Sequence, residues 1–249
     1  MPVLINNNEI SEVLKLLQVD PQSAIDEAKR LLSRSGNTRD AAFVTLHNLM
    51  AGSALRLDKV DLAEKYINEG LAVDRNPHLL NTLAGIYRAR GDQAQGLLTI
   101  NEALTLQGDY PEFYRTKAIL LFEGARYIEL RQFLDSMLTV FPQLTRLRHL
   151  YSGGMDWREG DFDAAKRNLE KAIELAPTLS DAYFDLAQLY KAQGEHQNVV
   201  GTLLRLKEVC PQLSEVQLAA LAEAYRETGD LSQAADIAKQ VLAINAVNL

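Results

Sequence analysis

The sequence is poor in cysteine, in aromatic residues and in long apolar runs. Cys210 is the only cysteine among 249 residues, which excludes an intramolecular disulfide and a zinc site built from cysteines. No stretch approaches the roughly 20 apolar residues that cross a membrane, and the opening MPVLINNNEI lacks the charged and apolar segments of a secretory signal. We therefore expect a cytoplasmic protein with no membrane partner.

Positive charge is also in short supply. Lys and Arg total 26 against 33 Asp and Glu, which gives a formal net charge of -7. Nucleic-acid binding requires a dense basic surface that displaces counterions from phosphates, so no nucleic-acid partner is expected. Apolar residues, in contrast, make up 47% of the chain, and Ala, Leu, Glu, Gln and Arg are plentiful. This composition favours helices around a continuous core.

The residue patterns of enzyme active sites are missing as well. The four histidines are far apart in the sequence and show no metal-binding spacing, so we interpret them as ordinary surface or interface residues. No strand precedes Gly153-Gly154, and we interpret this pair as small residues for close helix packing rather than a phosphate-binding loop. We predict no enzyme activity, no metal and no cofactor.

Proline, in contrast, recurs at regular intervals. Five of the seven prolines are spaced by 34, 31, 35 and 34 residues, and they are Pro77, Pro111, Pro142, Pro177 and Pro211. Each follows an apolar run with helical spacing, and proline cannot continue a helix. The prolines therefore mark a repeat of about 34 residues.

A second marker lies midway between prolines, where a glycine is followed by an acidic residue. These turns are Gly91-Asp92, Gly160-Asp161, Gly194-Glu195 and Gly229-Asp230. Glycine can adopt the left-handed conformation that ends a helix, and the acid then stands at the positive end of the next helix. Each repeat is therefore predicted to contain two helices. Neither can bury its apolar face alone, so the repeats are expected to stack.

Two repeats share a series of residues at fixed offsets. One contains Tyr183, Leu186, Ala187, Tyr190, Gly194 and Pro211, and the next contains Leu218, Leu221, Ala222, Tyr225, Gly229 and Ala234. This series resembles the tetratricopeptide repeat (TPR), a helix pair that stacks into a solenoid. The resemblance implies an all-α, right-handed α-solenoid of about seven antiparallel helix pairs, a TPR-like superhelix.

The resemblance covers most of the chain, which is predicted to be one solenoid domain of residues 1–249. Residues 44–249 hold about six repeats, and residues 1–43 hold divergent helices predicted at 9–19 and 21–35. Two repeats depart from the pattern, because Ala125 replaces a turn glycine and Asp156 replaces a tyrosine. Asp156 precedes Trp157, and this departure indicates either a functional role or only repacking.

The resemblance also implies a binding site, because the first helices of such pairs line a concave groove. The residues that would point into it are Asn48, Arg56, Asn81, Arg88, Arg115, Phe122, Tyr151, Trp157, Arg158, Phe184 and Gln188, with Thr45, His78 and Lys191 beside them. Amides can bind an extended backbone, arginines bind carboxylates, and aromatic side chains anchor a ligand. The alternative is that the aromatic residues belong to the core and the arginines are only solvated.

This groove predicts a scaffold or adaptor that binds a peptide or helix of another protein, with an acidic or aromatic-bearing segment as the natural ligand. The family's chaperone-binding clamp is not expected, because Gly52 and Gly85 follow Asn48 and Asn81, and Glu112 stands in the place of a lysine. The alternative hypothesis is the non-catalytic amino-terminal region of a longer enzyme, such as a transferase.

The chain ends on an apolar helix without a polar capping helix, which solenoids usually need. Its apolar residues are Val241, Leu242, Ile244, Val247 and Leu249. Three explanations stay open. The protein continues beyond this helix, a homodimer covers the helix, or the helix is less amphipathic than its sequence indicates.

Overall fold

The computed structural model describes residues 4–35 and 41–247, with side chains described up to residue 242. Within these ranges the chain forms fourteen α-helices and one 3₁₀ turn, Pro142–Leu144, and no strand. The helices are α1 (Asn7–Val19), α2 (Pro21–Ser35), α3 (Ala41–Arg56), α4 (Val60–Val73), α5 (Pro77–Ala89), α6 (Gln93–Leu106), α7 (Pro111–Glu123), α8 (Tyr127–Val140), α9 (Thr145–Glu159), α10 (Phe162–Leu175), α11 (Ser180–Ala192), α12 (His196–Val209), α13 (Glu215–Glu227) and α14 (Leu231–Val247). The prediction of an all-α repeat fold with about seven helix pairs is confirmed.

The divergent first pair begins slightly earlier than predicted. Helix α1 starts at Asn7 because the Asn6 side chain accepts hydrogen bonds from the backbone nitrogens of Asn8 and Glu9, at 3.0 and 3.1 Å. The Glu9 carboxylate in turn accepts from the Asn6 backbone nitrogen at 3.0 Å. This reciprocal capping box satisfies amide groups that the helix leaves without partners. The turn between α2 and α3 lies outside the described residues.

The turns inside the later pairs are left-handed, as the glycines predicted. Gly91, Gly160, Gly194 and Gly229 have φ angles of 76°, 87°, 74° and 85°. Asp92, Asp161 and Asp230 then cap the second helices, with backbone nitrogens donating at 3.0, 2.9 and 3.1 Å. Two further turns adopt the same conformation without glycine, at Asp58 (φ 56°) and Ala125 (φ 54°).

The chain divides into two compact units, residues 1–130 (unit 1) and 131–249 (unit 2), with the boundary inside α8. In unit 1 the first helices α1, α3, α5 and α7 contact one another in sequence, and each of α2, α4 and α6 contacts the first helix on either side. In unit 2, α9 contacts α11, and α10 and α12 each contact the first helices on either side. The prediction of one solenoid domain stays a prediction.

Small residues let neighbouring helices approach closely. A Cβ atom added at Gly70 of α4 would lie 2.9 Å from Leu79 Cδ1, and one added at Gly153 of α9 would lie 2.7 Å from Leu169 Cγ. The interpretation of Gly153 as a packing residue therefore agrees with the structure. Leu79 and Leu169 are fully buried, and burying a side chain of this size contributes about 1.5–3 kcal/mol.

Candidate functional site

The first-helix surface of unit 1 is formed by α3, α5 and α7. Asn48 and Asn81 are half-buried on it, and Thr82 Oγ1 donates to Asn48 Oδ1 at 2.8 Å, which joins α3 to α5. One turn further along the two helices stand Gly52 and Gly85, and a Cβ atom added at either would meet no atom within 4 Å. A ligand backbone can therefore approach both helices closely.

All three arginines predicted on this surface have partners within unit 1. The pairs are Arg56 with Gln18 Oε1 at 3.1 Å, Arg88 with Glu123 at 3.0 Å and Arg115 with Glu112 at 3.4 Å. Exposed ion pairs are worth about 0–1 kcal/mol, so a ligand carboxylate could compete for these guanidinium groups. It would nevertheless have to displace an existing partner.

Two further predicted residues of unit 1 are partly enclosed. The Asn81 Oδ1 atom is buried and accepts no hydrogen bond from the described residues, which costs about 1–3 kcal/mol. Phe122 is half-buried, and its ring centroid lies 6.0 Å from that of Tyr127. The fold thus leaves an acceptor of Asn81 unused, while Phe122 packs against the start of α8.

The first-helix surface of unit 2 is formed by α9, α11 and α13. Trp157, Phe184 and Gln188 are half-buried on these helices, and Arg158 is exposed. Lys191, predicted beside them, forms an ion pair with a glutamate of α13 at 2.6 Å. Unit 2 therefore presents aromatic and amide side chains where unit 1 presents amides and paired arginines.

The prediction that Tyr151 points into the groove is wrong, because its side chain is only 7% exposed. It lies on the same face of α9 as Leu147, Leu150 and Met155, which are all buried. This spacing of three, four and eight residues is that of a helix face turned towards the core. Tyr151 therefore belongs to the core, as the alternative interpretation of the aromatic residues held.

Asp156, which replaces the tyrosine of the repeat, belongs to a polar network between α9 and α10. Asn168 Nδ2 donates to Asp156 Oδ2 at 2.7 Å, and His149 Nδ1 lies 2.9 Å from Asn168 Oδ1. An amide oxygen only accepts, so the His149 ring carries a proton on Nδ1. Arg131 adds an ion pair with Glu159 at 2.9 Å and a longer one with Asp156 at 3.9 Å.

Asp185 of α11 is a polar residue that the sequence pattern did not single out. It is half-buried, and burial raises the pKa of its carboxyl to about 6. Burial is the largest cause of this raised pKa, the nearby charge of Asp181 contributes to it, and Arg158 opposes it. The sequence did contain a signal for this residue. Asp185 is an acid at the repeat position that Thr82 occupies in α5, and this is one of the positions where first helices contact each other.

The histidines and acidic residues of the described ranges form no metal site. In the described ranges, no three residues among His, Cys, Asp and Glu are arranged to hold a metal ion. His47 corrects the surface assignment of the histidines, because it is 5% exposed, its Nδ1 lies 2.8 Å from the Tyr66 carbonyl oxygen, and burial lowers its pKa. None of the described helices is long and apolar enough to cross a membrane.

Family models match the later part of the chain. Two tetratricopeptide repeat models match residues 156–219 and 217–246. The crystal structure of a tetratricopeptide repeat protein from Parabacteroides merdae is similar over 95% of this chain and 93% of its own, with a TM-score of 0.64 and 17% identity. Residues 156–246 are thus tetratricopeptide repeats, and the described chain has the all-α helical repeat fold of tetratricopeptide repeat proteins.

Other solved structures share this fold. PilW, a type IV pilus biogenesis factor, is 18% identical with a TM-score of 0.58, and the similarity covers 82% of this chain and 94% of PilW. In the Cut9–Hcn1 hetero-tetramer of APC/C, the similar chain is 13% identical with a TM-score of 0.60, over 97% of this chain and 48% of that one. A comparison with curated proteins gives no match.

Tetratricopeptide repeats generally mediate protein–protein interaction, and the fold is generally non-catalytic. The TPR fold therefore indicates a protein-interaction scaffold at the level of architecture. Because the sequence identities are below 20%, these similarities establish the fold of the chain. The binding partners of the similar proteins are not assigned to this chain.

Proposed function

We propose that this protein is a scaffold whose first-helix surfaces bind an extended segment or a helix of a partner protein. The observation that carries the proposal is the open space over Gly52 and Gly85, next to the amides of Asn48 and Asn81. Side chains of a partner can enter this space, and amides can bind its backbone. The first helices α3, α5 and α7 also contact one another in sequence, which supports one continuous binding surface in unit 1.

The chemistry of the two surfaces favours a particular ligand. The arginines of unit 1 already have partners, so we propose that binding there relies on amide hydrogen bonds more than on carboxylates of an acidic segment. In unit 2 the half-buried rings of Trp157 and Phe184 offer apolar contact beside the Gln188 amide. Aromatic rings anchor ligands at a low cost in side-chain entropy, so an aromatic-bearing segment suits this surface.

The experiment that tests the proposal fills the open space. Gly85→Phe places a large side chain on the first-helix surface, and Gly201→Phe places the same side chain on the second helix α12. Neither added Cβ meets an atom within 4 Å, so both variants are expected to fold, which circular dichroism checks. Immobilised wild-type protein and both variants are then compared for capture of proteins from a native lysate.

We expect the wild type and Gly201→Phe to capture the same protein and Gly85→Phe to lose it. Equal capture by the two variants would place the binding site away from this surface. A wild type that captures nothing would contradict the scaffold function itself.

The homodimer through the last helix and the cytoplasmic location stay predictions. Leu242 is 68% exposed and Val241 half-buried on α14, whereas the side chains of Ile244 and Val247 and the whole of Leu249 lie outside the described residues. Light scattering at high concentration tests the dimer, because a dimer held by this helix should become monomeric in a Leu242→Glu variant.

A further inference from the structure

A polar cleft opens in unit 1 where α3, α5 and the connection between α4 and α5 meet. Its volume is about 550 Å³, which falls within the range of roughly 300–1,000 Å³ typical of ligand sites. The polar side chains that line it are Thr45, Asn48, Asp74, Asn76 and His78, and all five are half-buried. Only three of them belong to the predicted groove, because Asp74 and Asn76 come from the connection.

Existing hydrogen bonds orient these side chains and leave part of their capacity unused. Asn76 Oδ1 accepts from the His78 backbone nitrogen at 2.9 Å, which turns the Asn76 Nδ2 group away from that helix end. Asn48 Oδ1 accepts from Thr82 Oγ1 at 2.8 Å, and its Nδ2 group remains able to donate. The His78 ring is held edge-on against Tyr110, with centroids 4.7 Å apart. The cleft is therefore preorganised.

Asp74 is the only acidic residue among the lining side chains, and it has no ion pair with any residue in the described ranges. Its one side-chain contact is a long hydrogen bond from Asn76 Nδ2, at 3.4 Å. The adjacent Arg75 pairs with another acid, because its Nε and Nη2 atoms both donate to the Glu102 carboxylate at 2.6 Å. That pairing lowers the pKa of Glu102. Among the described residues, the cleft thus contains a half-buried carboxylate that has no cationic partner.

We propose that this cleft binds a cationic side chain, lysine or arginine, of a partner polypeptide. The Asp74 carboxylate pairs with the cation, and a charge-assisted hydrogen bond in a half-buried site is stronger than a neutral one. The Asn48 and Asn76 amide groups donate to backbone carbonyl oxygens next to that side chain. The inference rests on the proposed function for the nature of the ligand, and it adds a basic residue to the partner segment.

The test uses short peptides in place of the unidentified partner. Acetylated and amidated Gly-Lys-Gly, Gly-Arg-Gly, Gly-Gln-Gly and Gly-Glu-Gly are titrated into the isotope-labelled full chain, and NMR follows the side-chain amide signals of Asn48 and Asn76. We expect a cationic peptide to shift both signals with a dissociation constant at least about tenfold lower than that of the Gln peptide. The Glu peptide is expected not to bind. The Lys and Arg peptides show which cation fits better.

A matched pair of variants locates the charge. Asp74→Asn preserves shape and removes the carboxylate. Asp109→Asn makes the same change at an exposed residue of the connection between α6 and α7, which is not among the residues that line the cleft. We expect Asp74→Asn to weaken binding of the cationic peptide at least about tenfold and Asp109→Asn to leave it unchanged. Equal binding of the Lys and Gln peptides, unaltered binding by Asp74→Asn, or no signal shift with either cationic peptide at millimolar concentration would overturn the proposal.

The cleft and the scaffold function can fail separately. If Gly85→Phe no longer captures the partner from the lysate while Asp74→Asn leaves binding of the cationic peptides unchanged, the scaffold function is supported and the cleft proposal is wrong. If Asp74→Asn weakens binding of the cationic peptides while Gly85→Phe and Gly201→Phe capture the partner equally, the cleft proposal is supported. The proposed partner binding over Gly52 and Gly85 is then wrong.

Discussion

Unit 1 and unit 2 build the same helix pair with different residues at its turn. The turns of unit 2 are all glycine, at Gly160, Gly194 and Gly229, whereas unit 1 has one glycine, Gly91, and otherwise uses Asp58 and Ala125. All six residues adopt positive φ angles between 54° and 87°. Both tetratricopeptide repeat models match within unit 2. The left-handed turn thus recurs in the six helix pairs from α3 to α14, and glycine only makes it easier to adopt. The first pair, α1 and α2, is joined instead through an extended residue, Asp20 (φ -142°).

The units also differ in how they use polar side chains inside the stack. In unit 1 the Asn48–Thr82 hydrogen bond connects first helices of successive pairs, and the Asn48 Nδ2 group can still donate to a ligand. In unit 2, Asp156 and Asn168 connect the two helices of one pair, and Asp185 is half-buried. Polar groups of unit 1 are therefore available to a ligand, whereas those of unit 2 partly serve packing.

The largest effect that separates the units is expected at glycines of their first helices. Gly153→Ala in unit 2 would force a Cβ atom to 2.7 Å from Leu169 Cγ and 3.1 Å from the Ala165 carbonyl oxygen. Such overpacking costs about 2–3 kcal/mol, whereas Gly85→Ala in unit 1 has open space and gains about 0.5–1 kcal/mol of helix propensity. Urea denaturation followed by circular dichroism measures both variants. Similar changes in the two would contradict the difference in packing.

The next effect concerns the polar network of unit 2. Asn168→Ala removes the bond to Asp156 and the contact with His149, and we expect a loss of about 2 kcal/mol because a half-buried carboxylate loses its amide donor. The control is Asn101→Ala, an exposed residue of α6, which should change stability by no more than about 0.5 kcal/mol. Thermal unfolding compares the two. If Asn168→Ala behaves like the control, the network contributes nothing to the pair.

Asp185 predicts a pH dependence of the stability of unit 2 that is opposite in sign to that of the buried His47 of unit 1. The pKa of Asp185 in the folded state is raised to about 6, so the folded state binds a proton at this carboxyl more tightly than the unfolded state does. The free energy of unfolding therefore falls as the pH rises from about 4 to about 6 and the carboxyl loses its proton. Asp185→Asn should therefore be more stable than wild type by about 1–2 kcal/mol at pH 7.5 and no different below pH 4. Denaturant midpoints at both pH values measure this. A difference that persists at low pH would assign the effect to packing instead.

The smallest effects are expected at the turns, where glycine can be exchanged between positions of unit 1. Gly91→Ala should cost about 1 kcal/mol, since its added Cβ meets no neighbour and only the left-handed backbone is strained. Ala125→Gly should gain about 1 kcal/mol for the same reason. Denaturation midpoints of the two variants and of the double variant test the exchange. Changes of equal sign would show that residues around these turns, rather than their φ angles, decide stability.

The sequence predicted the helix pairs well because their signals are local. Proline spacing and Gly-Asp turns mark the boundaries between many of the later helices, and even the divergent helices at residues 9–19 and 21–35 are close to α1 and α2. Ala125 shows the limit of such signals, because its turn is left-handed without the residue that announces it.

The candidate site was harder to predict because it depends on distances between helices. Tyr151 was expected in the groove and is buried, since one position around a helix separates the groove from the core. Asp74 and Asn76 lie in a connection and reach the cleft only through the way α5 packs on α3. Partners such as Glu123 for Arg88 are one repeat away, and no single repeat contains both members of the pair.

The packing of each helix mainly against helices one or two places away in the sequence has a kinetic consequence. Only short chain segments must close before native contacts form, so the entropy lost in the transition state is small and we expect folding in milliseconds or faster. Folding can begin at any well-packed pair and spread to its neighbours. Amide protons of interior pairs such as α5 and α6 should then exchange with solvent more slowly than those of the outermost pair, α1 and α2.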